Sequence, residues 1–188
     1  NKGFNKPYYY TSYPPTLPTM KLFIDVFSGD ELASDTFPVK DEGCVYVIQG
    51  KMVAEETGGD YGIAANADED DGAAEGLDGA TKTQVINFVS AHRLTETSFT
   101  KKLYIANIKQ YMQRVKAYLE KENPDRVKPF MTEAQAFVKK ILGNFDDYVF
   151  YLGSSLDDTA MCPIVFYGED GMTPYMYLFK DGIREEKC

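Results

Sequence analysis

The sequence predicts an α+β fold in which a mostly antiparallel β body carries one inserted helical hairpin. Short apolar stretches rich in β-branched and aromatic residues, each bounded by turn residues, recur along most of the chain from Met20 onward. They are interrupted once, at about residues 100–144, where apolar residues recur at steps of three and four. The first pattern is typical of strands and the second of helices, so together they predict this fold class.

The strand-like stretches lie between Met20 and Gly182, on both sides of the helical segment. In order they are "MKLFIDVF", "CVYVIQ", "MVAEE", "TQVINFV", "DYVFYLG", "CPIVFYG" and "YMYLFKDG". Gly50 and Lys51 predict a tight connection between Val45–Gln49 and Met52–Glu55. The turn sequence "GEDGMTP" predicts another connection between the last two strands. These connections favour antiparallel meanders.

Two helices are predicted in the interrupting segment. The first begins at Thr100 and ends before Pro124, and its apolar positions lie on one face: Tyr104, Ile108, Tyr111, Met112, Val115, Tyr118 and Leu119. The second begins at Thr132, because Thr132 and Gln135 have the spacing of a capping box. It should end near Gly143, which suits a helix C-cap. We expect the apolar stripe of the first helix to pack on the second.

Residues 20–188 are predicted to form one domain, since this length supports a single core. The preceding residues 1–19 contain no acid, several prolines and a tyrosine cluster. They are interpreted as an appendage before a natural start at Met20, from upstream read-through or cloning. The alternative is a Pro/Tyr recognition segment.

Net charge limits the classes of partner. The formal charge is −9 and the pI is near 4.7, which argues against nucleic acid as the main partner. The sequence contains neither an apolar run that could span a bilayer nor a signal-peptide pattern, so we expect a cytoplasmic protein without a membrane partner.

Charge is also segregated along the chain. The segment 52–80 has many acids and no Lys or Arg, whereas the first helix is basic. The basic residues of that helix are Lys101, Lys102, Lys109, Arg114, Lys116 and Lys121. Two interpretations remain open: the basic face attracts an acidic partner, or it only solvates the outside of an amphipathic helix.

No enzyme signature is found in the sequence. His92 is the only histidine, and a lone histidine is more often a partly buried structural residue than a general base. Cys44, Cys162 and Cys188 are widely spaced and form no C-x-x-C pair, so neither a disulfide framework nor a zinc site is indicated. We expect structural thiols, except that Cys188 at the chain end should be exposed.

The acidic stretch "YGIAANADEDDGAAEG" lies in a loop predicted at about residues 56–80. A calcium loop needs oxygen ligands at positions 1, 3 and 5, Gly at position 6 and Glu at position 12. Asn66, Asp68 and Asp70 fit the first three, but Asp71 occupies the glycine position and Leu77 the last. Low hydrophobicity and like charges favour disorder, so we expect at most a weak Ca²⁺ site formed by Asn66, Asp68, Asp70 and Asp71, and no required cofactor.

Three long blocks carry a resemblance to a known family. They are "HRLTETSFTKKLYIANIKQYMQRVKAYL", "DRVKPFMTEAQAFVKKILGNFDDYVFYLG" and "YGEDGMTPYMYLFKDGIREEKC". The chain from Met20 to Cys188 closely resembles the translationally controlled tumour protein family, also called histamine-releasing factor. The resemblance implies a β-rich, Mss4-like body with a helical hairpin and a mobile acidic loop. The paired cysteines of the Mss4 zinc site are lacking here.

The resemblance also implies functions. It implies a non-enzymatic cytoplasmic adaptor that binds calcium weakly and binds tubulin or microtubules, with non-classical secretion in some settings. The hairpin residues Lys101, Lys102, Lys109 and Arg114 are the expected partner surface. The alternative is a regulator of guanine nucleotide exchange on small GTPases, with Glu31 in "SGDELASD" at the contact. Cys188 corresponds to a terminal cysteine that forms oxidised dimers of an otherwise monomeric protein.

An anti-apoptotic role through Bcl-2-family proteins is a further implication of the resemblance. In some members it involves a BH3-like helical segment. The corresponding residues here, "TFPVKDEGCVYV", contain Pro38 and Gly43 where such a helix would run, so we do not expect a helix there.

Overall fold

The computed structural model describes residues 20–57 and 81–188. The predictions for residues 1–19 and for nearly all of the acidic loop lie outside the described residues. The strands are β1 (Lys21–Asp25), β2 (Glu31–Ser34), β3 (Val39–Glu42), β4 (Val45–Gln49), β5 (Met52–Thr57), β6 (Thr81–Ile86), β7 (Thr95–Thr97), β8 (Val149–Leu152), β9 (Ile164–Tyr167), β10 (Pro174–Phe179) and β11 (Ile183–Lys187). The helices are α1 (Asn87–Ala91), α2 (Lys101–Glu122) and α3 (Pro124–Gly143), with 3-10 turns at Phe145–Asp147 and Lys180–Gly182.

All strand pairs among these residues are antiparallel. One sheet has the order β3-β4-β10-β9-β8-β7, a second has the order β11-β1-β2, and β5 pairs with β6 as a ribbon. The predicted α+β class is therefore confirmed. Four short strands were not predicted from the sequence, namely β2, β3, β7 and β11. β3 and β11 read "VKDE" and "IREEK", whose charged side chains are largely exposed and give no apolar signal.

The predicted turn between β9 and β10 is confirmed. The Gly168 N–H donates to the Thr173 carbonyl over 2.9 Å, and the Gly171 N–H donates to the Gly168 carbonyl over 2.8 Å. Gly171 has φ +65°, a backbone conformation that favours glycine. This turn sets the register of the β9–β10 hairpin.

The predicted tight connection between β4 and β5 is wrong as a hairpin. β4 pairs with β3 and β10, and β5 pairs with β6, so Gly50 passes the chain from one sheet to another. The Gly50 N–H donates to the Pro174 carbonyl over 2.8 Å. A Cβ at Gly50 would lie within about 2.5 Å of the Phe88 ring, so the glycine is needed for close packing rather than for a turn.

The stretch "TQVINFV" is also only partly a strand. β6 ends at Ile86, and the next residues form α1. The Asn87 side-chain oxygen accepts hydrogen bonds from the backbone N–H groups of Lys51 (2.9 Å) and Phe88 (3.0 Å). These bonds divert the chain into the helix, which the apolar pattern alone does not reveal.

The first predicted helix is confirmed, and the start of the second is wrong. α2 begins after Thr100, whose hydroxyl accepts the Leu103 N–H over 3.3 Å, and ends before Pro124. α3 begins at Pro124 rather than Thr132, because a proline at the first helical position loses no hydrogen bond. The Thr132 hydroxyl instead donates to the Lys128 carbonyl within the helix. α3 ends at Gly143, as predicted.

The hairpin of α2 and α3 packs against the β body around one aromatic-rich core. Tyr104, Phe88, Phe130 and Met176 are each fully buried. Tyr104 lies 4.7 Å from Phe150 of β8 between ring centroids. Within the two described ranges, no helix has both the length and the apolar composition needed to cross a membrane.

Candidate functional site

The outer face of α2 presents a basic surface, which we define as Lys101, Lys102 and Lys109. All three side chains are exposed, and none forms an ion pair with another described residue. Lys101 and Lys102 lie in the first helical turn, which contains no acid. Since the N-terminus of a helix carries a partial positive charge, the two lysines add to an already positive helix end. This surface can attract an anionic partner.

Arg114, predicted as part of the same surface, has a different environment. Its guanidinium donates to the Thr159 carbonyl and, over 2.7 Å, to the Thr159 hydroxyl. It also lies 4.4 Å from the centroid of the Phe27 ring. These contacts join α2 to the loop between β8 and β9, which contains Thr159, and to the loop between β1 and β2, which contains Phe27. The partner role of Arg114 stays a prediction. Its guanidinium already donates hydrogen bonds to Thr159 within the fold.

The apolar stripe of α2 was expected to pack on α3, but it also packs on the β body. Tyr111 contacts Phe179 of β10 and Phe27, with centroids 5.8 and 5.9 Å apart, and Tyr104 contacts Phe99 and Phe150. Tyr118 is only partly buried. The stripe therefore docks the hairpin onto the β body, and the basic surface is held on a well-packed support.

An ion-pair cluster that was not predicted from the sequence joins the start of α3 to the β body. Arg126 donates to Asp181 through two bonds, of 2.8 and 3.1 Å, and to Glu133 over 2.8 Å. Asp181 belongs to the 3-10 turn before β11, and its side chain is only 7% exposed. The hydrogen bonds that Arg126 donates to these two carboxylates raise its pKa. The hairpin is thus joined to the β body at both of its helices.

Glu31, the expected GTPase contact, lies at the first position of β2 beside His92. Its Oε1 lies 2.9 Å from Nδ1 of His92, which follows α1. The His92 side chain is 4% exposed, and its ring meets Phe37 edge-on at 5.8 Å. Burial lowers the pKa of His92, although the charge of Glu31 opposes that effect. The sequence predicted a partly buried structural residue, and the structure buries the His92 side chain more fully.

The loop before Glu31 is fixed by its neighbour Asp30. The Asp30 carboxylate accepts bonds from the hydroxyls of Ser154 (3.0 Å) and Ser155 (2.6 Å) and from the Ser155 N–H. Burial acts to raise the pKa of Asp30, but these bonds outweigh it and lower that pKa. A Cβ at Gly153 would overlap the carboxylate. The residue that precedes Glu31 is therefore hydrogen-bonded to the loop between β8 and β9.

The three cysteines differ in accessibility. Cys44 is buried, and burial raises the pKa of its thiol to about 11. Burial likewise raises the pKa of Cys162 to about 12, and its sulfur lies 3.1 Å from the Tyr151 carbonyl oxygen. Cys188 is exposed, as expected for a chain end. Oxidised dimers through Cys188 stay a prediction.

The predicted calcium ligands Asn66, Asp68, Asp70 and Asp71 lie outside the described residues. Among residues 20–57 and 81–188, no group of three or more His, Cys, Asp or Glu side chains is placed to hold a metal ion. The calcium prediction therefore depends on the sequence of the acidic segment alone.

The fold and these surfaces together define a class of protein: an antiparallel β body that displays a long, firmly docked helical hairpin with a basic outer face. The sequence profile of the family described as "Translationally controlled tumour protein" matches residues 20–184. The chain belongs to the translationally controlled tumour protein family.

Individual relatives agree with this assignment. The chain is 48% identical over 169 residues to the translationally-controlled tumor protein homolog of Schizosaccharomyces pombe, covering 89% of this chain and 99% of the relative. It is 41% identical over 173 residues to the human translationally-controlled tumor protein, covering 90% of this chain and 100% of the relative. These names carry no enzymatic designation.

Solved structures of the family have the same fold. The structure of the Schizosaccharomyces pombe protein matches with a TM-score of 0.76 at 47% identity, over 89% of this chain and 99% of that chain. The solution structure of the Caenorhabditis elegans protein matches with a TM-score of 0.66 at 29% identity, over 89% and 98% of the two chains.

Proposed function

We propose that this protein is a non-enzymatic cytoplasmic adaptor that binds tubulin or microtubules through the basic surface of α2. The observation that carries the proposal is the exposure of Lys101, Lys102 and Lys109 without ion-pair partners among the described residues. The chain as a whole is acidic, with a formal charge of −9, so a local basic surface on it is a specific feature. Such a surface attracts an acidic protein and orients the encounter.

Co-sedimentation with microtubules tests the proposal. Lys102→Glu with Lys109→Glu should reduce the bound fraction, because the double change replaces attraction by repulsion. The matched control is Lys51→Glu with Lys187→Glu, which changes the net charge equally at exposed positions of the β body. If both double variants lose binding equally, net charge rather than the α2 surface controls the interaction, and the proposal is wrong.

Weak calcium binding is the second part of the proposal. Asn66, Asp68, Asp70 and Asp71 supply oxygen ligands but lack the glycine and glutamate of a calcium loop, so we expect affinity in the roughly millimolar range. Calorimetry with the full chain measures it. Saturation at micromolar Ca²⁺ that Asp68→Asn with Asp70→Asn abolishes would mean that the segment is a stronger site than proposed.

Regulation of nucleotide exchange on a small GTPase is the alternative function. It is favoured by one observation: Glu31 is 46% exposed at the first position of β2, with its carboxylate next to a buried imidazole. A carboxylate presented in this way could disturb the magnesium and phosphate site of a GTPase. Nucleotide release measured with the parent, with Glu31→Ala and without protein decides this alternative. Equal rates in all three would eliminate it.

Binding of Bcl-2-family proteins through a BH3-like helix is not part of the proposal. The corresponding residues include β3 and most of β4, which pair with each other as a hairpin. An extended segment in a sheet cannot present the i, i+4 and i+7 anchors of a helix without unfolding.

A further inference from the structure

An apolar groove runs along the hairpin between α2 and α3. Its volume is about 480 Å³. Ile105 and Met112 line it from α2, and Met131, Val138 and Leu142 line it from α3. The groove is a different surface from the basic surface of α2, with which it shares only Lys109.

On α3 the groove is lined by the less buried of two apolar stripes. On α3 the stripe of Phe130, Ala134 and Ile141 is fully buried against the rest of the fold. The adjacent stripe of Met131, Val138 and Leu142 is only partly buried. Residues at these spacings share one helical face. In the part of the chain that the structure describes, no element covers this second stripe.

The two charged side chains that line the groove are both basic. Lys109 stands on the α2 side and Lys139 on the α3 side, and the lining contains no carboxylate. Neither lysine forms an ion pair with a described residue. The complementary ligand is therefore apolar along its centre and acidic on both flanks.

We propose that this groove binds an amphipathic α-helix from an acidic protein partner, with apolar side chains in the groove and carboxylates facing Lys109 and Lys139. From Met131 to Leu142 the groove extends about 16 Å, which matches roughly three helical turns. The i, i+4 and i+7 side chains of such a helix would enter the groove. Met112 and Met131 can adjust to ligands of different shape. The inference goes beyond tubulin binding and does not depend on it.

The geometry favours a helix over a membrane surface. A concave channel between two helices accommodates a cylinder, as in a three-helix arrangement with axes about 8–10 Å apart. A flat bilayer would contact the rims and leave the groove floor uncovered. The side chains on the floor, Ile108 and Met112, are almost fully buried already, so a ligand must enter the groove to contact them.

The probe is a pair of stapled helical peptides of about 15 residues, long enough for the groove. One has Leu at i, i+4 and i+7 with Glu on both flanks, and the control has Lys in place of Glu. Methyl NMR on the full chain should show the acidic peptide perturbing Ile105, Met131 and Val138. We expect the acidic peptide to bind at least about tenfold more tightly than the basic one at low salt. Equal affinities, or shifts confined to other methyl groups, would overturn the proposal.

Two matched variants separate the groove from the rest of the hairpin. Gln135→Trp places a large side chain in the groove, whereas Ala136→Trp adds the same side chain at an exposed neighbour outside it. Gln135→Trp should weaken the acidic peptide by at least about tenfold, and Ala136→Trp should leave its affinity within about twofold. Equal losses in both variants would contradict the assignment.

Charge variants complete the test, because Lys139 lines the groove but lies outside the basic surface of α2, and Lys102 lies in that surface but outside the groove. Lys109→Glu with Lys139→Glu should reverse the preference between the two peptides, whereas Lys102→Glu should not change it. Vesicles containing phosphatidylserine serve as the competing probe. If they bind through Lys109 and Lys139 while the acidic peptide does not, the groove is a membrane contact and the proposal is wrong. Thermal melts confirm that each variant is folded.

Discussion

The Nδ1 atom of His92 lies 2.9 Å from Oε1 of Glu31, although the histidine side chain is 4% exposed and the glutamate 46% exposed. A buried ring therefore meets a carboxylate at the protein surface. The two residues come from different elements, since His92 follows α1 and Glu31 begins β2. The Glu31 carboxylate therefore lies beside a residue for which the sequence predicted only a structural role.

The first prediction concerns the titration of His92. Burial lowers its folded-state pKa below 6.5, so the folded protein binds fewer protons than the unfolded chain as pH falls. Its contribution to stability should be fully present above pH 6.5 and be lost as pH falls through the folded-state pKa. Glu31→Gln should lower the pKa further, because the charge of Glu31 raises it. Imidazole NMR measures both values, with Glu120→Gln as control. A His92 pKa above 6.5 in the parent would contradict this account.

The second prediction concerns the attachment of α3. Asp181→Asn should lower the free energy of unfolding by about 2 kcal/mol, because charged hydrogen bonds of this kind contribute about 1.5–3 kcal/mol and Asp181 is mostly buried. Hydrogen exchange should increase first near Arg126. The control is Glu186→Gln. Glu186 pairs with Arg184 over 3.4 Å, and both side chains are exposed, so this change should lower the free energy of unfolding by less than about 0.5 kcal/mol. Similar losses in both variants would refute the anchoring role.

The third prediction concerns the contact between Gly182 and Tyr111. A Cβ at Gly182 would overlap the Tyr111 hydroxyl and lie 2.9 Å from the Met161 methyl carbon. Gly182→Ala should therefore cost about 1–3 kcal/mol, as overpacking does. The hydroxyl is buried without a hydrogen-bond partner among the described residues, so Tyr111→Phe should cost little. In the Tyr111→Phe background Gly182→Ala should cost less, and denaturant unfolding of all four proteins measures this coupling. Strictly additive effects would mean that the overlap is relieved elsewhere.

The fourth prediction concerns the thiols. Cys188 should react first with a thiol reagent, because it is exposed while burial raises the pKa of Cys44 to about 11 and of Cys162 to about 12. After mild oxidation, non-reducing gels should show dimers in the parent and none in Cys188→Ser. Dimers that persist in Cys188→Ser but disappear in Cys162→Ser would assign the bridge to Cys162 instead.

Local patterns predicted the elements that local chemistry determines. Both ends of α2 were predicted, because the helical spacing of its apolar residues, Thr100 before its start and Pro124 after its end can all be read from the local sequence. α3 had two competing start signals, and the proline at its first position prevailed over the capping-box spacing at Thr132. Gly50 has turn composition, but which strands pair is decided by the sheet, so the predicted hairpin failed.

The candidate site was predicted less completely than the fold. The lysines of the basic surface were found because charge on a helix face can be read from sequence. The contacts of Arg114 with Thr159 and of Arg126 with Asp181 join residues 45 and 55 positions apart, which no local pattern indicates. The groove could have been anticipated, since Met131, Gln135, Val138 and Leu142 follow steps of four, three and four. Only the structure shows that no described element covers this stripe of α3.

The most direct test of the central claim is the affinity of fluorescently labelled protein for tubulin at low and moderate salt. The parent should bind more weakly as salt rises, because exposed charges are screened within about 10 Å at 0.1 M. Lys102→Glu with Lys109→Glu should bind more weakly at low salt, with unfolding free energy changed by less than about 0.5 kcal/mol, as expected at exposed positions. Ile108→Asp, at a buried position, should instead unfold the hairpin, which shows what a change in the core does compared with a change at the surface. If the charge-reversed protein binds tubulin as tightly as the parent at both salt concentrations, the basic surface of α2 is only a solvated helix face.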